Sequence, residues 1–166
     1  MAVEVWIRAN GTPIPQGSKT AGVNGLGKPY LRDVNPKALK AWRETVAQAT
    51  WRAMQEREFK IDALQGPVEM ICWFYFERPK SNKTHYPTSR QVGDLDKLLR
   101  AVGDGIVDGG GMDDDSQICQ ISGAKLWADQ HTRPGVMIYL APIETPKGKR
   151  PLIVQNARAG IEVMLP

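Results

Sequence analysis

The stretch "GDLDKLLRAVGDGIVDGGGMDDDSQI", Gly93 to Ile118, decides the reading of the fold. Leu95, Leu98, Leu99, Val102 and Ile106 stand at i, i+3, i+4, i+7 and i+11, one apolar stripe that predicts an amphipathic helix opening at Asp94. The "DGGG" run stops that helix, and "SQICQISGAKLWA" then reads as a strand. Upstream, "PVEMICWFYFERP" alternates strictly. Val68, Met70, Cys72, Phe74 and Phe76 share one face, while Ile71, Trp73 and Tyr75 share the other, so both faces are expected to be covered. "VEVWI" (Val3, Val5 and Ile7 on one side) and "GVMIYLAPI" read as further strands. "LRDVNPKALKAWRETVAQATWRAMQER" holds a helix capped by Asn35, with Pro36 in its first turn and Leu39, Trp42, Val46 and Ala49 at helical spacing. "GTPIPQGSKTAGVNGLGKP" reads as an irregular loop and "ERPKSNKTHYPTSRQVG" as a polar, basic one. Helices interleaved with strands, at least one strand pair forming a hairpin, predict a single α+β domain around one mixed β-sheet packed with helices. That domain is expected over residues 1–143. Residues 144–166 read as a basic, Pro-containing C-terminal extension with a short strand at "IEVML".

The same stretch carries seven aspartates, Asp94, Asp96, Asp104, Asp108, Asp113, Asp114 and Asp115, in a chain whose net charge is +4. Residues 94–129 hold eight Asp against Lys97, Arg100 and Lys125, a charge of −5, which leaves +9 on the remainder. A basic body predicts a polyanionic partner, and an acidic island on it predicts a site for cations.

Several classes are set aside. At 166 residues the chain fits one domain with a real core. No apolar run approaches the length of a membrane span. The opening "MAVEVWIRANG" has acid and Trp where a signal peptide needs a basic and then an apolar region, so a cytoplasmic location is expected. Cys72 and Cys119 are expected to remain thiols, and His85 and His131 are isolated and read as loop or surface residues. "GVNGLGK" matches the start of a phosphate-binding loop, but Pro29 stands where a hydroxyl must hold magnesium and no apolar strand leads in, so no nucleotide cofactor is expected.

Asp94 sits where a helix N-cap belongs and Asp96 in the first turn, and capping alone explains both, at roughly 0.5–1 kcal/mol each. "MDDDSQI" is different, because three adjacent acids repel one another and no structural rule asks for them before a strand. Magnesium-type cations take carboxylate oxygens and keep several waters. A pair of such ions about 4 Å apart can clamp the attacking and leaving oxygens of a phosphodiester. Carboxylates from the helix start and the strand start can converge on such ions if the two ends lie together. No EF-hand loop is present.

"DLDKLLRAVGDGIV" followed by "DDSQI" resembles the RusA-like endodeoxyribonucleases, Holliday junction resolvases of bacteria and their phages. The pattern is D-x-D-N at a helix start, a basic residue six positions after the first Asp, an A-x-x-D-x-[LI] helix, and DD-[SA]-Q-[VI]. Its pair of acids falls on Asp94 and Asp96, its basic residue on Arg100, its helical Asp on Asp104 and its third catalytic acid on Asp115, with Asp114 beside it as a metal ligand. "GTPIPQGSK" is similar to the family's opening loop, and the resemblance runs over roughly residues 3–143. It implies a homodimeric enzyme that uses Mg2+, with Mn2+ as a substitute, to resolve four-way junctions or other branched DNA by paired phosphodiester hydrolysis. Lys97 stands at the family's usual Asn and Arg100 at its usual Lys. Arg keeps the charge and can hold phosphate in a fork, yet does not donate a proton near neutral pH, so electrostatic stabilisation is the role expected of Arg100. Extra glycines precede Asp113.

Lys19, Lys28, Arg78, Lys80, Lys83, Arg90 and Lys97 are the candidate phosphate contacts, the first six in loops flanking the acidic segment. Two rival readings share these residues. A non-catalytic DNA-binding protein would use the aspartates as caps and turn acids, and a nuclease of the same fold would act on flaps or forks. An RNA-binding module lacks its aromatic motif.

Overall fold

The computed structural model describes residues 4–17, 19–33, 35–55 and 62–144; the extension from 145 to 166, with its expected strand, lies outside them. In chain order the elements are β1 (Val5–Asn10), β2 (Lys19–Val23), β3 (Pro29–Asp33), α1 (Pro36–Gln55), β4 (Val68–Phe76), α2 (Leu95–Asp108), β5 (Ile118–Trp127) and β6 (Gly135–Pro142), with a 3-10 turn over Asp115–Gln117 before β5. Four strands form a mixed sheet in the order β1-β6-β4-β5. β6 runs antiparallel to both its neighbours, and β4 and β5 are parallel. A parallel pair needs a crossover connection, and α2 supplies it.

Both helices lie on one face of the sheet. Val68, Met70, Cys72, Phe74 and Phe76 point into the core beside Val5, Ile7, Ala9, Val136, Ile138 and Leu140. Leu39, Trp42, Val46 and Met54 of α1 and Leu98, Ala101, Val102 and Ile106 of α2 close the core from above. Asn35 Oδ1 accepts a hydrogen bond from the Ala38 N–H at 3.4 Å, as expected of a cap. The two helices touch through glycine. A Cβ on Gly105 would stand 2.8 Å from Val46 Cβ, and one on Gly109 would stand 2.7 Å from Thr50 Cβ, so α1 lies closer to α2 than any side chain there would allow. That approach carries Arg43 of α1 to within 3.2 Å of Asp104 and 3.0 Å of Asp108 on α2.

Two expectations change. The Gly- and Pro-rich stretch after β1 is not one irregular loop, because β2 and β3 pair as an antiparallel hairpin. Asn24 organises its turn, Oδ1 accepting from the Leu26 and Lys28 N–H groups at 3.0 and 2.9 Å. At least one hairpin is expected from the sequence, and β2–β3 is one; among the later strands β4 lies between β5 and β6. The second face of the sheet also stays half-exposed around Ile71, Trp73 and Tyr75. On it Trp6 stacks on Trp73 at 6.0 Å between centroids and tilts against Tyr139 at 5.0 Å, and the Arg8 guanidinium lies 5.1 Å over Tyr75.

Candidate active site

The acidic segment occupies the two ends of α2 and the turn before β5. β5 tracks α2 in reverse. A Cβ on Gly123 would lie 3.2 Å from Leu95 and 3.1 Å from Leu99, whereas one on Gly103 would lie 3.5 Å from Ile118 and 3.9 Å from Asp115 Cβ. Asp115 therefore settles beside Gly103, seven residues beyond Asp96, which is about 10 Å along the helix axis. Convergence of the helix-start and strand-start carboxylates on one point, the arrangement the spacing allowed, is not what the fold makes. Asp94 and Asp96 mark the start of α2, and Asp115 marks a position two turns on. Among the described residues no three metal-ligating side chains gather around one point.

The start of α2 is fixed from three sides. Gly93 takes φ +84°, a value other residues rarely adopt, and a Cβ there would strike Pro15 Cγ at 2.5 Å. The Gln16 N–H donates to Lys97 O at 3.0 Å. Lys125, on the helix-facing side of β5, donates from Nζ to Gly93 O at 2.9 Å. Asp94 occupies the N-cap position with extended backbone, but its side chain makes no capping bond. It pairs instead with Lys97 Nζ at 2.8 Å. The hydrogen bond and charge of Lys97, helped by Lys125, hold the Asp94 carboxyl below the usual carboxylate range, and Asp94 raises the Lys97 ammonium in return. Lys97, expected to contact DNA, thus neutralises a site acid.

The turn before β5 is held by Gln117. Its Oε1 accepts from the Asp113 and Asp114 N–H groups at 2.8 and 3.1 Å. Its Nε2 donates to Leu64 O at 2.9 Å and Gly66 O at 3.0 Å. Asp114 Oδ1 accepts from the Ser116 N–H at 2.9 Å and completes a capping box with Gln117; bonds from Ser116 hold its carboxyl below the ordinary range. Asp113 Oδ2 accepts from Gln65 Nε2 at 2.8 Å. Further along α2, burial pushes the Asp104 carboxyl up and nearby Asp115 adds to this, against the opposing pull of Arg43.

This allocation separates the seven aspartates. Asp94 is paired with Lys97, Asp104 and Asp108 with Arg43, Asp113 with Gln65, and Asp114 with its own turn. Asp96 and Asp115 are exposed and have no hydrogen-bond or ion-pair partner among the described residues. Arg100, four residues after Asp96 and three before Gly103, lies on the same helical stripe between them, equally exposed and equally uncommitted. Two open carboxylates with a free guanidinium between them can hold hard cations and a phosphate at once. Magnesium is usually bound by one or two carboxylates, water and substrate phosphate, and these exposed oxygens suit that mode, whereas a three-carboxylate cage is not formed. Gln16 Oε1 adds a buried oxygen without a partner among the described residues, a group that needs a donor or a cation to offset its desolvation.

The basic residues divide as well. Lys28, Lys80, Lys83 and Arg90 are exposed. Arg78 is committed to its own loop, donating to Asn82 O and Thr84 O at 3.3 Å each. The Lys19 side chain lies outside what the structure describes. Sequence reasoning passed over Gln117, Lys125 and Arg43. The D-x-x-Q spacing of Asp114 and Gln117 signals a capping box, and alternation along β5 places Lys125 on the helix side, but nothing local pairs Arg43 with acids more than 60 residues away.

No curated protein matches the chain. The model of the family described as endodeoxyribonuclease RusA matches residues 10–139. That span runs from the end of β1 into β6 and takes in the basic loop, all of α2 and the turn that carries Asp115. With the open carboxylates and guanidinium lying inside a match that covers most of the molecule, the chain belongs to the RusA family of endodeoxyribonucleases.

Proposed function

We propose that the protein is a magnesium-dependent endonuclease that cuts branched DNA, four-way junctions first, as a homodimer. The observation that carries this reading is the selective freedom of Asp96, Asp115 and Arg100 in a segment where every other aspartate is engaged. Asp96 at the start of α2 and Asp115 two turns on would each offer a carboxylate to magnesium at its own position, with Asp94 joining Asp96 once a divalent cation displaces Lys97; Mn2+ would serve in place of magnesium. A bound magnesium ion polarises the scissile phosphate and lowers the pKa of water. Arg100 sets a fixed positive charge against the phosphate oxygens, where negative charge grows as the bond breaks. Asp104, half-buried and paired with Arg43 of α1, lies near Asp115 and is left out of the metal-binding role. Lys80, Lys83 and Arg90 lie on the loop leading into Asp94, where they would grip the flanking backbone.

Two-fold symmetry supports the homodimer. A four-way junction has an approximate two-fold axis and needs two matched cuts. The half-exposed face of Trp6, Trp73, Tyr75 and Tyr139 is an aromatic patch of the kind that marks interfaces, and pairing it with a second copy would cover the open side of the parallel β4–β5 pair.

The test incubates purified protein with labelled four-way junction, fork and linear duplex, with and without magnesium. The proposal expects symmetric cuts in the junction only with metal, from a species that sediments as a dimer. Binding without cleavage under every condition would return the protein to the class of DNA-binding modules.

A further inference from the structure

Beside the start of α2 lies a cavity of about 700 Å3, inside the usual range for small-ligand sites. Ile14, Phe76, Val92 and Trp127 give it an apolar lining, and Asn82 and Lys83 stand among its polar residues. Apart from Lys83, given a DNA-backbone contact above, the function proposed uses none of these. The cavity's location ties it to the cleavage chemistry all the same. Val92 is two residues before Asp94, and Pro15 both lines the cavity and touches Gly93. Trp127 follows Lys125 by two residues on the same face of β5, about 6.6 Å along the strand, and Lys125 is bonded to Gly93. Phosphates along one strand of duplex DNA are spaced about 3.4 Å apart along the axis, so the cavity lies a nucleotide or two from a phosphate held at Asp94 and Asp96.

The lining suits one class of ligand. Trp127 Nε1 already donates to Thr84 O at 3.0 Å, so the indole meets the cavity as an apolar ring with no unmet donor. Asn82 Oδ1 is taken by the Thr84 N–H and hydroxyl at 2.8 and 2.7 Å, which leaves the Asn82 NH2 group as a donor for ring nitrogens or carbonyls. Lys83 has no ion-pair partner among the described residues and can meet a phosphate. A flat heteroaromatic with acceptors on its edge and an anionic tail has all three features. We propose that this cavity receives one unstacked nucleobase from the strand to be cut, an inference that rests on the branched-DNA reading above. Bases at a branch point are the least costly to unstack, and an aromatic platform recovers part of that cost.

The test uses the full-length protein in chelator, so that binding is read without cleavage. Dissociation constants are measured for a set of four-way junctions in which each nucleotide near the crossover is made abasic in turn, with wild type, Trp127→Ala and Ser89→Trp. Ser89 is an exposed residue lining the cavity, and a Trp there obstructs it from the solvent side while leaving the core residues themselves unchanged. At one position per cut strand, base removal should weaken wild-type binding about 5- to 100-fold more than it weakens either variant, the size of one lost stacking contact. Additive effects at every position, or no position at which wild type responds, would overturn the base site, as would a wild type that binds none of the junctions. Should Trp127→Ala prove poorly folded by melting, Ser89→Trp alone decides. Adding magnesium afterwards separates the two readings: coupling without cleavage sinks the nuclease mechanism and keeps the base site, and cleavage without coupling does the reverse.

Discussion

Gly93→Ala isolates the link between the fold and the acidic site. The added methyl has two costs. At φ +84° an L-residue is strained by about 1–2 kcal/mol. The new Cβ would also stand 2.5 Å from Pro15 Cγ and 2.9 Å from Pro15 Cβ, where carbon atoms prefer about 3.5–4.0 Å. A proline ring has little room to turn aside, so overpacking adds about 1–3 kcal/mol. The sum, about 2–5 kcal/mol, lowers the melting temperature by roughly 4–20 °C at about 2–4 °C per kcal/mol for a chain of this size. Two alanine controls separate the causes. Gly110 takes φ +74° with nothing within 4 Å of its would-be Cβ, so Gly110→Ala should show the strain alone, about 1–2 kcal/mol. Gly25 has open space and no unusual φ, so Gly25→Ala should melt within about 0.5 kcal/mol of wild type. Gly93 O also holds Lys125, and Asp94 follows directly, so relief of the clash must displace the site; single-turnover cleavage below the melt should fall on the order of 100-fold per ångström of displacement. A Gly93→Ala protein that melts with Gly25→Ala and cleaves normally would refute this account of how the helix start is set.

Three further outcomes are expected. Arg100→Ala should fold normally and lose about 100-fold or more in single-turnover rate, with Arg100→Lys keeping much of the activity; a well-folded Arg100→Ala with a near-normal rate would remove Arg100 from the site. Gln117→Glu keeps the acceptor for the Asp113 and Asp114 N–H groups but leaves Leu64 O and Gly66 O without their donor, which should cost about 1–3 kcal/mol and several degrees of melting temperature; an unchanged melt would show that the turn does not depend on Gln117. Neutralising Lys80, Lys83 and Arg90 together should lower the slope of log affinity against log salt by nearly three, at about 0.9 per phosphate contact, and an unchanged slope would exclude them as the footprint.

Much of the fold could be read from periodicity. Both helices carry apolar stripes, and β4 alternates without a break, so element type followed from pattern alone. The hairpin of β2 and β3 escaped because its strands are short, sit in a Gly- and Pro-rich stretch, and pair only with each other. The order of the strands escaped because it depends on which faces α2 covers, a property of packing between distant segments. The site was legible as composition but not as geometry. Aspartate spacing marked the segment, yet which carboxylates stay open is decided by partners far away in sequence, such as Arg43 and Gln65. The antiparallel run of α2 along β5, which places Asp115 beside Gly103, is likewise tertiary.

The most direct test compares Asp96→Asn and Asp115→Asn with Asp113→Asn, measuring single-turnover cleavage of a four-way junction in magnesium and junction affinity in chelator. Asp96 and Asp115 are the open carboxylates, and Asp113 is already bonded to Gln65. The first two variants should lose cleavage by more than the roughly 10–100-fold that follows loss of an outer partner of a metal ligand, and should bind the junction as tightly as wild type or tighter, because a charge facing phosphate is gone. Asp113→Asn should cleave close to normally. Wild-type cleavage rates in both Asp96→Asn and Asp115→Asn would contradict the assignment of metal and catalysis to these carboxylates.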